Sequence, residues 1–295
     1  MAGTQVPHNS IRRRRSTFSL IRTSDKLKLA YSLGILLLVV IAYVCAVFDI
    51  TPFDPDDMQL DMLLTPPLQG SHYLGTDFLG RDILTRLILG VQAYFLPGIL
   101  AVSIAIFFGS IVGAFSVYAR RSVRNSLYFT NGLLQTLPRL VLVLFIIAIF
   151  EPNIYIIMAI IGISSIPSVA NLVSSRIDIL REKSFVDFAK ASGAPLHTII
   201  FKHLLWYNCR ALLISQSALT MGEAILMETS LSYLGFGVQE PLSSWGNMVQ
   251  SGANYLLQGD IWSSTIPALA IMLVLSALYL LNHVIIRILD KSQQP

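Results

Sequence analysis

Six long runs of apolar residues dominate the chain. The first extends from Leu29 to Phe48, and five more follow at Tyr94–Tyr118, Leu127–Phe150, Ile154–Val173, Ala211–Leu231 and Ile266–Ile286. A helix that crosses a lipid bilayer needs roughly 20 such residues, because lipid offers no partner for a free backbone N–H or C=O. The pattern therefore predicts an all-α membrane protein with six transmembrane helices. Several runs carry interruptions. Pro97, Gly98, Gly109 and Gly113 lie in the second, Pro138 and Arg139 break the third, and Pro167 falls near the end of the fourth. Glu223 and Glu228 lie within the fifth. The first run is longer than the core of a secretory signal, and no small-residue cleavage site follows it. It is expected to be a retained anchor.

Composition agrees with that reading. Of 295 residues, 54% are apolar and 13% charged, where soluble domains carry about a quarter charged. Basic residues flank the runs. Arg12 to Arg15, Arg22, Lys26 and Lys28 precede the first, and Arg120, Arg121 and Arg124 separate the second from the third. Arg176, Arg181, Lys183, Lys190, Lys202 and Arg210 lie between the fourth and fifth, and Arg287 and Lys291 follow the sixth. With both termini in the cytoplasm, 18 of the 21 basic residues fall on one side, as lysine and arginine bias requires. The opposite side receives Asp49, Asp54, Asp56, Asp57 and Asp61. This asymmetry also accounts for the net charge of +4 without nucleic acid as a partner. Cys45 and Cys209 show neither metal nor redox spacing and are expected to be packing residues, and no cofactor is expected. The expected organisation is a basic tail over 1–28, a first helix with its outer loop over 29–93, five helices over 94–288 with a cytoplasmic loop at 176–205, and a tail over 289–295.

That loop is the most informative stretch. Ser184 followed by Asp187 reads as a capping box. The helix so begun reaches about Ser192, because Gly193 suits a C-terminal cap and Pro195 cannot continue it but can start a second helix. Taken alone, this is a short helix, a glycine turn and another helix, and a capped surface loop is an open alternative. The stretch also resembles the EAA loop of bacterial ABC importer permeases. Asp187, Phe188 and Ala189 occupy the Glu-Ala-Ala positions and Gly193 the glycine position. Phe188 replaces an alanine, and Trp206 and Tyr207 stand where the family has Leu-Pro-Asn or similar. The resemblance implies that the short helix docks on an ATPase subunit.

Two other segments carry a narrower resemblance. His72 to Gly90 contains Gly75-Thr76-Asp77 and Gly80-Arg81-Asp82, followed by Ile83, Leu84, Leu87 and Ile88 at helical spacing. By pattern it is an amphipathic helix on the membrane surface, with Arg81 and Arg86 on its polar side. Met227 to Gly252 contains Glu228, Ser230 to Ser232, Leu234-Gly235, Gly237, Gln239, Pro241 and Ser244 to Met248. Gly235 and Gly237 would allow a sharp turn, and Trp245 would sit at the membrane interface. Both segments resemble those of the dipeptide, oligopeptide and nickel permeases. Over roughly residues 29 to 290 the chain is identified as a member of that ABC importer family, of its second permease type. The resemblance implies the type I importer permease fold and a bacterial inner-membrane location. It further implies a homologous permease partner, two ATP-binding subunits and a periplasmic or lipid-anchored solute-binding protein. Peptides are the implied solute, with nickel or a metal chelate as the alternative.

Arg139, Glu223 and Glu228 are the ionisable residues inside predicted spans. A charge at mid-bilayer costs on the order of 3 kcal/mol, so it is expected to face a partner or water. An Arg139–Glu223 ion pair and a place along a translocation path are both open, and Glu223 and Glu228 cannot share one narrow helix face. The chain has no GxxxxGK[ST], so it does not bind ATP through a P-loop. It also lacks HExxH and GxSxG, and its histidines are scattered, which argues against a membrane enzyme. A self-contained secondary transporter would show matching broken helices in two repeats, and no such repeat is visible.

Overall fold

The apolar runs become helices because a helix satisfies its own backbone groups. The computed structural model describes residues 23–55, 57–136, 138–149 and 153–293. Arg12 to Arg15 and Arg22 of the expected tail, Asp56, and Phe150 at the end of the third run lie outside the described residues. In chain order the helices are α1 (Thr23–Val47), α2 (Ile83–Gly90), α3 (Phe95–Tyr118), α4 (Arg121–Thr136), α5 (Arg139–Ile147) and α6 (Ile154–Leu180). They are followed by α7 (Ser184–Ala191), α8 (Leu196–Thr198), α9 (Arg210–Tyr233), α10 (Trp245–Ala253) and α11 (Trp262–Gln293). A π-helical stretch, Ile199–Cys209, joins α8 to α9. Residues 289–293, expected in a tail, continue α11.

Among the described residues, four stretches are long and apolar enough to cross a membrane: α1, Ile83–Tyr118, α6 and Trp262–Ile288. The third predicted run is two helices, α4 and α5, bent by 81° and countable together as a fifth span. Pro138 stands at the bend as the N-cap of α5. A proline lacks the N–H that helix α4 would need to continue and restricts the residue before it. The fifth run forms α9, which has 24 residues but is not among the apolar stretches. Gln216, Glu223, Glu228 and six serine or threonine residues lower its hydropathy.

Small side chains set the closest helix contact. Ala101, Ala105, Gly109 and Gly113 recur every fourth residue on α3, so they lie along one face, and all are buried. A Cβ on Gly109 would sit 2.5 Å from Cβ of Val169, and one on Gly113 would sit 2.5 Å from the Ala170 carbonyl oxygen. On α6, Gly162 faces Ala101 in the same way. Removing side chains lets the backbones approach, which is how helices gain packing energy in lipid. Polar contacts fix the other helices. The Ser215 hydroxyl donates to Asn282 between α9 and α11. α1 lies against α11, where the Tyr31 and Ser276 hydroxyls are 2.8 Å apart and Arg287 donates to Asp25 at 2.8 Å. Leu37, Leu38, Val40, Ile41 and Val44 on α1 are exposed, as a lipid-facing surface would be.

Candidate functional site

Three regions hold the chemistry, one at each end of the bundle and one within it. At the end where α6 leaves the bundle, α7 forms a two-turn helix that closes with a Schellman motif. Gly193 N–H donates to the Lys190 carbonyl at 3.0 Å and Ala194 N–H to that of Ala189 at 3.1 Å. These bonds require Gly193 to be left-handed, and its φ is +76°. Pro195 then caps α8. The capping box expected at Ser184 does not form. The N-cap residue is Lys183 and makes no side-chain cap, so Ser184 is already inside the helix. Val186 is fully buried and anchors α7 to the bundle. On the outer side, Asp187 pairs with Lys190 at 3.6 Å, and Phe188 is 75% exposed. Nearby Leu196, Phe201, Trp206 and Tyr207 are also exposed.

Inside the bundle, α5 and α9 meet through charge. Arg139 Nη1 donates to Glu223 Oε2 at 2.6 Å, and its Nη2 donates to the Ser168 hydroxyl on α6 at 2.6 Å. The pair is partly open, with side-chain exposures of 27% for Arg139 and 47% for Glu223. Glu228 is not part of it. It is 0% exposed, and Ser232 Oγ donates to its Oε1 at 2.5 Å. Ser232 Oγ in turn accepts from Val238 N–H at 3.1 Å and lies 3.3 Å from Ser244 Oγ. Glu228 thus anchors the loop after α9, whereas Glu223 is exposed.

Two polar rows converge on the Arg139–Glu223 pair, and neither is expected from the apolar runs alone. Gln216, Glu223 and Ser230 are seven residues apart on α9, two turns each, so they share a face. Ser164, Ser168, Asn171 and Ser175 share a face of α6 by spacings of four, three and four. All seven are half-buried or exposed, and Asn171 Oδ1 has no hydrogen-bond partner. The signal that could reveal them is a polar heptad inside an apolar run.

At the far end of α9, the segment before α2 folds as a cap over α10 and α11. Asp77 accepts from the N–H groups of Leu79 and Arg81 at 2.9 and 3.0 Å, closing a tight turn. Gly80 is left-handed at φ +76°, and a Cβ there would collide with the Gln59 carbonyl oxygen. Asp82 caps α2 by accepting from Thr85 N–H at 2.7 Å and holds His72 Nδ1 at 2.9 Å. The expected surface helix with Arg81 and Arg86 on its polar side is therefore corrected. Both arginines are buried, at 2% and 3% exposure. Arg81 pairs with Asp77 at 2.8 Å and Glu240 at 2.7 Å, and Arg86 pairs with Glu240 at 3.0 Å. Burial alone would lower the Arg81 pKa, but the hydrogen bond to Glu240 and the charge of Asp77 outweigh it and raise it. Glu240 lies more than 150 residues from either arginine, so local pattern could not reveal it.

Trp245, expected at a membrane interface, is also buried. Its indole N–H donates to the Leu87 carbonyl at 2.9 Å, and its ring lies 5.1 Å from that of Tyr94. Gly235 is left-handed where a turn was expected (φ +82°). Gly237 is needed for space, since a Cβ there would overlap Ser232 Oγ. Beside this cap a cavity of about 430 Å³ opens among Asp49, Arg86, Gln92, Tyr155 and Ser243. Of the two cysteines, Cys209 is buried, Cys45 partly so, and both are free thiols. Among the described residues, no group of three or more His, Cys, Asp or Glu side chains could hold a metal ion.

Comparison with known proteins adds a family. Residues 105–294 match the family described as the binding-protein-dependent transport system inner membrane component. The chain is similar to the di/tripeptide transport system permease protein DppC of Pseudomonas aeruginosa, 33% identical over 258 residues, 85% of this chain and 84% of the relative. It is 34% identical to the probable D,D-dipeptide transport system permease protein DdpC of Escherichia coli, over 75% of this chain and 73% of that one. The oligopeptide transport system permease protein OppC of Haemophilus influenzae is 32% identical over 76% of this chain and 72% of its own length.

Proposed function

The chain belongs to the binding-protein-dependent inner membrane components, and from that premise we propose that it is one of two permease subunits of an ATP-driven peptide importer. It is a multi-pass protein of the bacterial cytoplasmic membrane. Six spans with both termini in the cytoplasm follow if α4 with α5, and α9, join the four apolar stretches as spans. The basic residues then fall on the side of α7. In this arrangement residues 94–288 are the permease proper, and the loop 176–205 is its cytoplasmic contact.

The observation that carries the proposal is the α7 hairpin. Its helix is capped at one end by Gly193, pinned beneath by Val186 with Ala189 half-buried against the same cluster, and turned outward at Asp187 and Phe188. A short rigid helix transmits a push from a docked subunit, where a flexible loop would absorb it. With no P-loop in this chain, ATP hydrolysis belongs to two partner subunits docked there. A second homologous permease completes the path, and a periplasmic or lipid-anchored binding protein delivers solute to the opposite face. Peptides are preferred to nickel or a chelate because the relatives' names specify peptides. The converging rows on α6 and α9, with Arg139 and Glu223 between them, make the wall of this half of the path.

Uptake of radiolabelled L-alanyl-L-alanine by cells deleted for this chain tests the proposal. Uptake should fall to background, return with the intact chain, and fail to return when the partner ATPase is inactivated. Undiminished uptake in the deletion strain, with no second importer for the probe, would refute it.

A further inference from the structure

We propose that the Arg139–Glu223 pair is a transit site for the two charged ends of a peptide, with Arg139 receiving the carboxylate and Glu223 the ammonium. The inference rests on the peptide reading above and adds the residues that touch the solute and the chemical feature they recognise.

Three observations lead to it. First, the pair is exposed where lipid cannot be its surroundings. Each charge set against hydrocarbon costs on the order of 3 kcal/mol, yet Glu223 is 47% exposed in the middle of α9. Glu228, five residues on, is held differently, wholly buried with Ser232 donating to it. Second, the half-buried and exposed polar rows extend in both directions from the pair. Gln216 to Ser230 covers fourteen residues, about 21 Å of helix, and the row on α6 meets it at Ser168. Third, Asn171 Oδ1 lies in that row buried and without a partner, so the row carries a polar acceptor that this chain does not itself satisfy.

The chemistry of exchange favours a zwitterion. Opening the 2.6 Å pair leaves a guanidinium and a carboxylate, which are the complements of a peptide's two termini. One ion pair is lost and two are formed. A dipeptide spans about 7 Å, a separation within reach of two long side chains that are not packed on every side. The guanidinium fork suits a carboxylate because both N–H groups can be used together. The resting pair also keeps affinity low, since the solute must displace a bond already made. A conducting site needs that property, because a solute held tightly would not leave. A peptide blocked at both ends offers neither charge and leaves the pair closed.

Saturation-transfer difference NMR tests this on the assembled transporter purified without its binding protein. The probes are L-alanyl-L-alanine and its N-acetyl, C-amide derivative. The free dipeptide should receive saturation, and the blocked one should receive about five-fold less, the effect of losing one exposed ionic contact. Each variant has no resting pair to open and keeps one of the two contacts, so Glu223→Gln should bind N-acetyl-dialanine as well as dialanine, and Arg139→Gln should bind dialanine amide as well as dialanine. Equal signals from the two probes on the unmodified transporter would overturn the inference without relying on any variant, as would a full loss on N-acetylation in Glu223→Gln together with a full loss on amidation in Arg139→Gln. ATP-driven uptake in the same preparation separates the two levels of the reading. Uptake of dialanine with no charge dependence in the NMR removes the transit site and leaves the peptide importer standing. Absence of uptake by an assembled, ATP-hydrolysing complex supplied with loaded binding protein removes both.

Discussion

Replacing Gly193 with alanine perturbs the α7 hairpin at a single point, and its cost can be worked out from the structure. A Cβ at this position meets no atom within 4 Å, so no clash contributes. The whole penalty is the left-handed backbone at φ +76°, about 1–2 kcal/mol for a residue with a Cβ. Relief requires giving up the two bonds that end α7, Gly193 N–H to Lys190 and Ala194 N–H to Ala189, which unwinds the last turn of a short helix. If the docked hairpin is what transmits work, its population falls by roughly 5- to 30-fold. Gly193→Ala should therefore lower ATP-driven dipeptide uptake in proteoliposomes by about that factor, while thermal unfolding of the membrane bundle changes little. Gly193→Asn should recover most of the loss, because asparagine tolerates the left-handed region. Full transport by Gly193→Ala, or an equal deficit in both variants, would refute the reasoning.

Other perturbations separate packing from charge. Gly113→Leu drives a side chain into the Ala170 carbonyl oxygen, 2.5 Å from the first added carbon; α3 and α6 should part, and the protein should aggregate during size-exclusion chromatography in detergent. Glu240→Ala strips Arg81 and Arg86 of a shared partner and leaves Asp77 alone between them. Loss of one member of a buried ion cluster costs about 3–5 kcal/mol. The 39% exposure of the Glu240 side chain lowers the expectation to about 1–3 kcal/mol, read as a reduced melting temperature. Glu240→Gln keeps a hydrogen-bond acceptor and should lose less. Asp25→Asn removes the charge pair with Arg287 and should loosen α1 from α11, seen as faster proteolysis at the N-terminal end with uptake retained.

What the sequence disclosed depended on range. α1, α3, α6 and α11 were visible because an apolar run long enough to cross lipid has few other uses. The end of α7 was equally local, since Gly193 and Pro195 are both in the segment they terminate. The start of α7 differs from expectation because the Ser184 and Asp187 spacing is a common pattern, and here Lys183 takes the cap position. The bend at Pro138 split a run that hydropathy alone treats as continuous, and no apolar count predicts the π-helical stretch after Thr198. Pattern places Arg81 and Arg86 at a surface because Asp77 alone cannot balance both charges. Glu240 supplies the second carboxylate from across the fold. Trp245 failed similarly, since its partners Leu87 and Tyr94 belong to another part of the chain. The rows on α6 and α9 were legible in principle, but polar residues spaced by seven are diluted when hydropathy is averaged over a span.

The most direct test of the central claim is a cross-linking measurement at α7. In a background where Cys45 and Cys209 are replaced, Phe188→Cys should form a disulfide or short-linker adduct with a co-purifying ATP-hydrolysing subunit. Leu257→Cys, fully exposed beyond α10, should form none with that subunit. Joining of the ATPase to Phe188→Cys alone is the expected result. A failure of Phe188→Cys to cross-link in an assembled complex, or an adduct at Leu257→Cys instead, would contradict the claim that work enters this permease through α7.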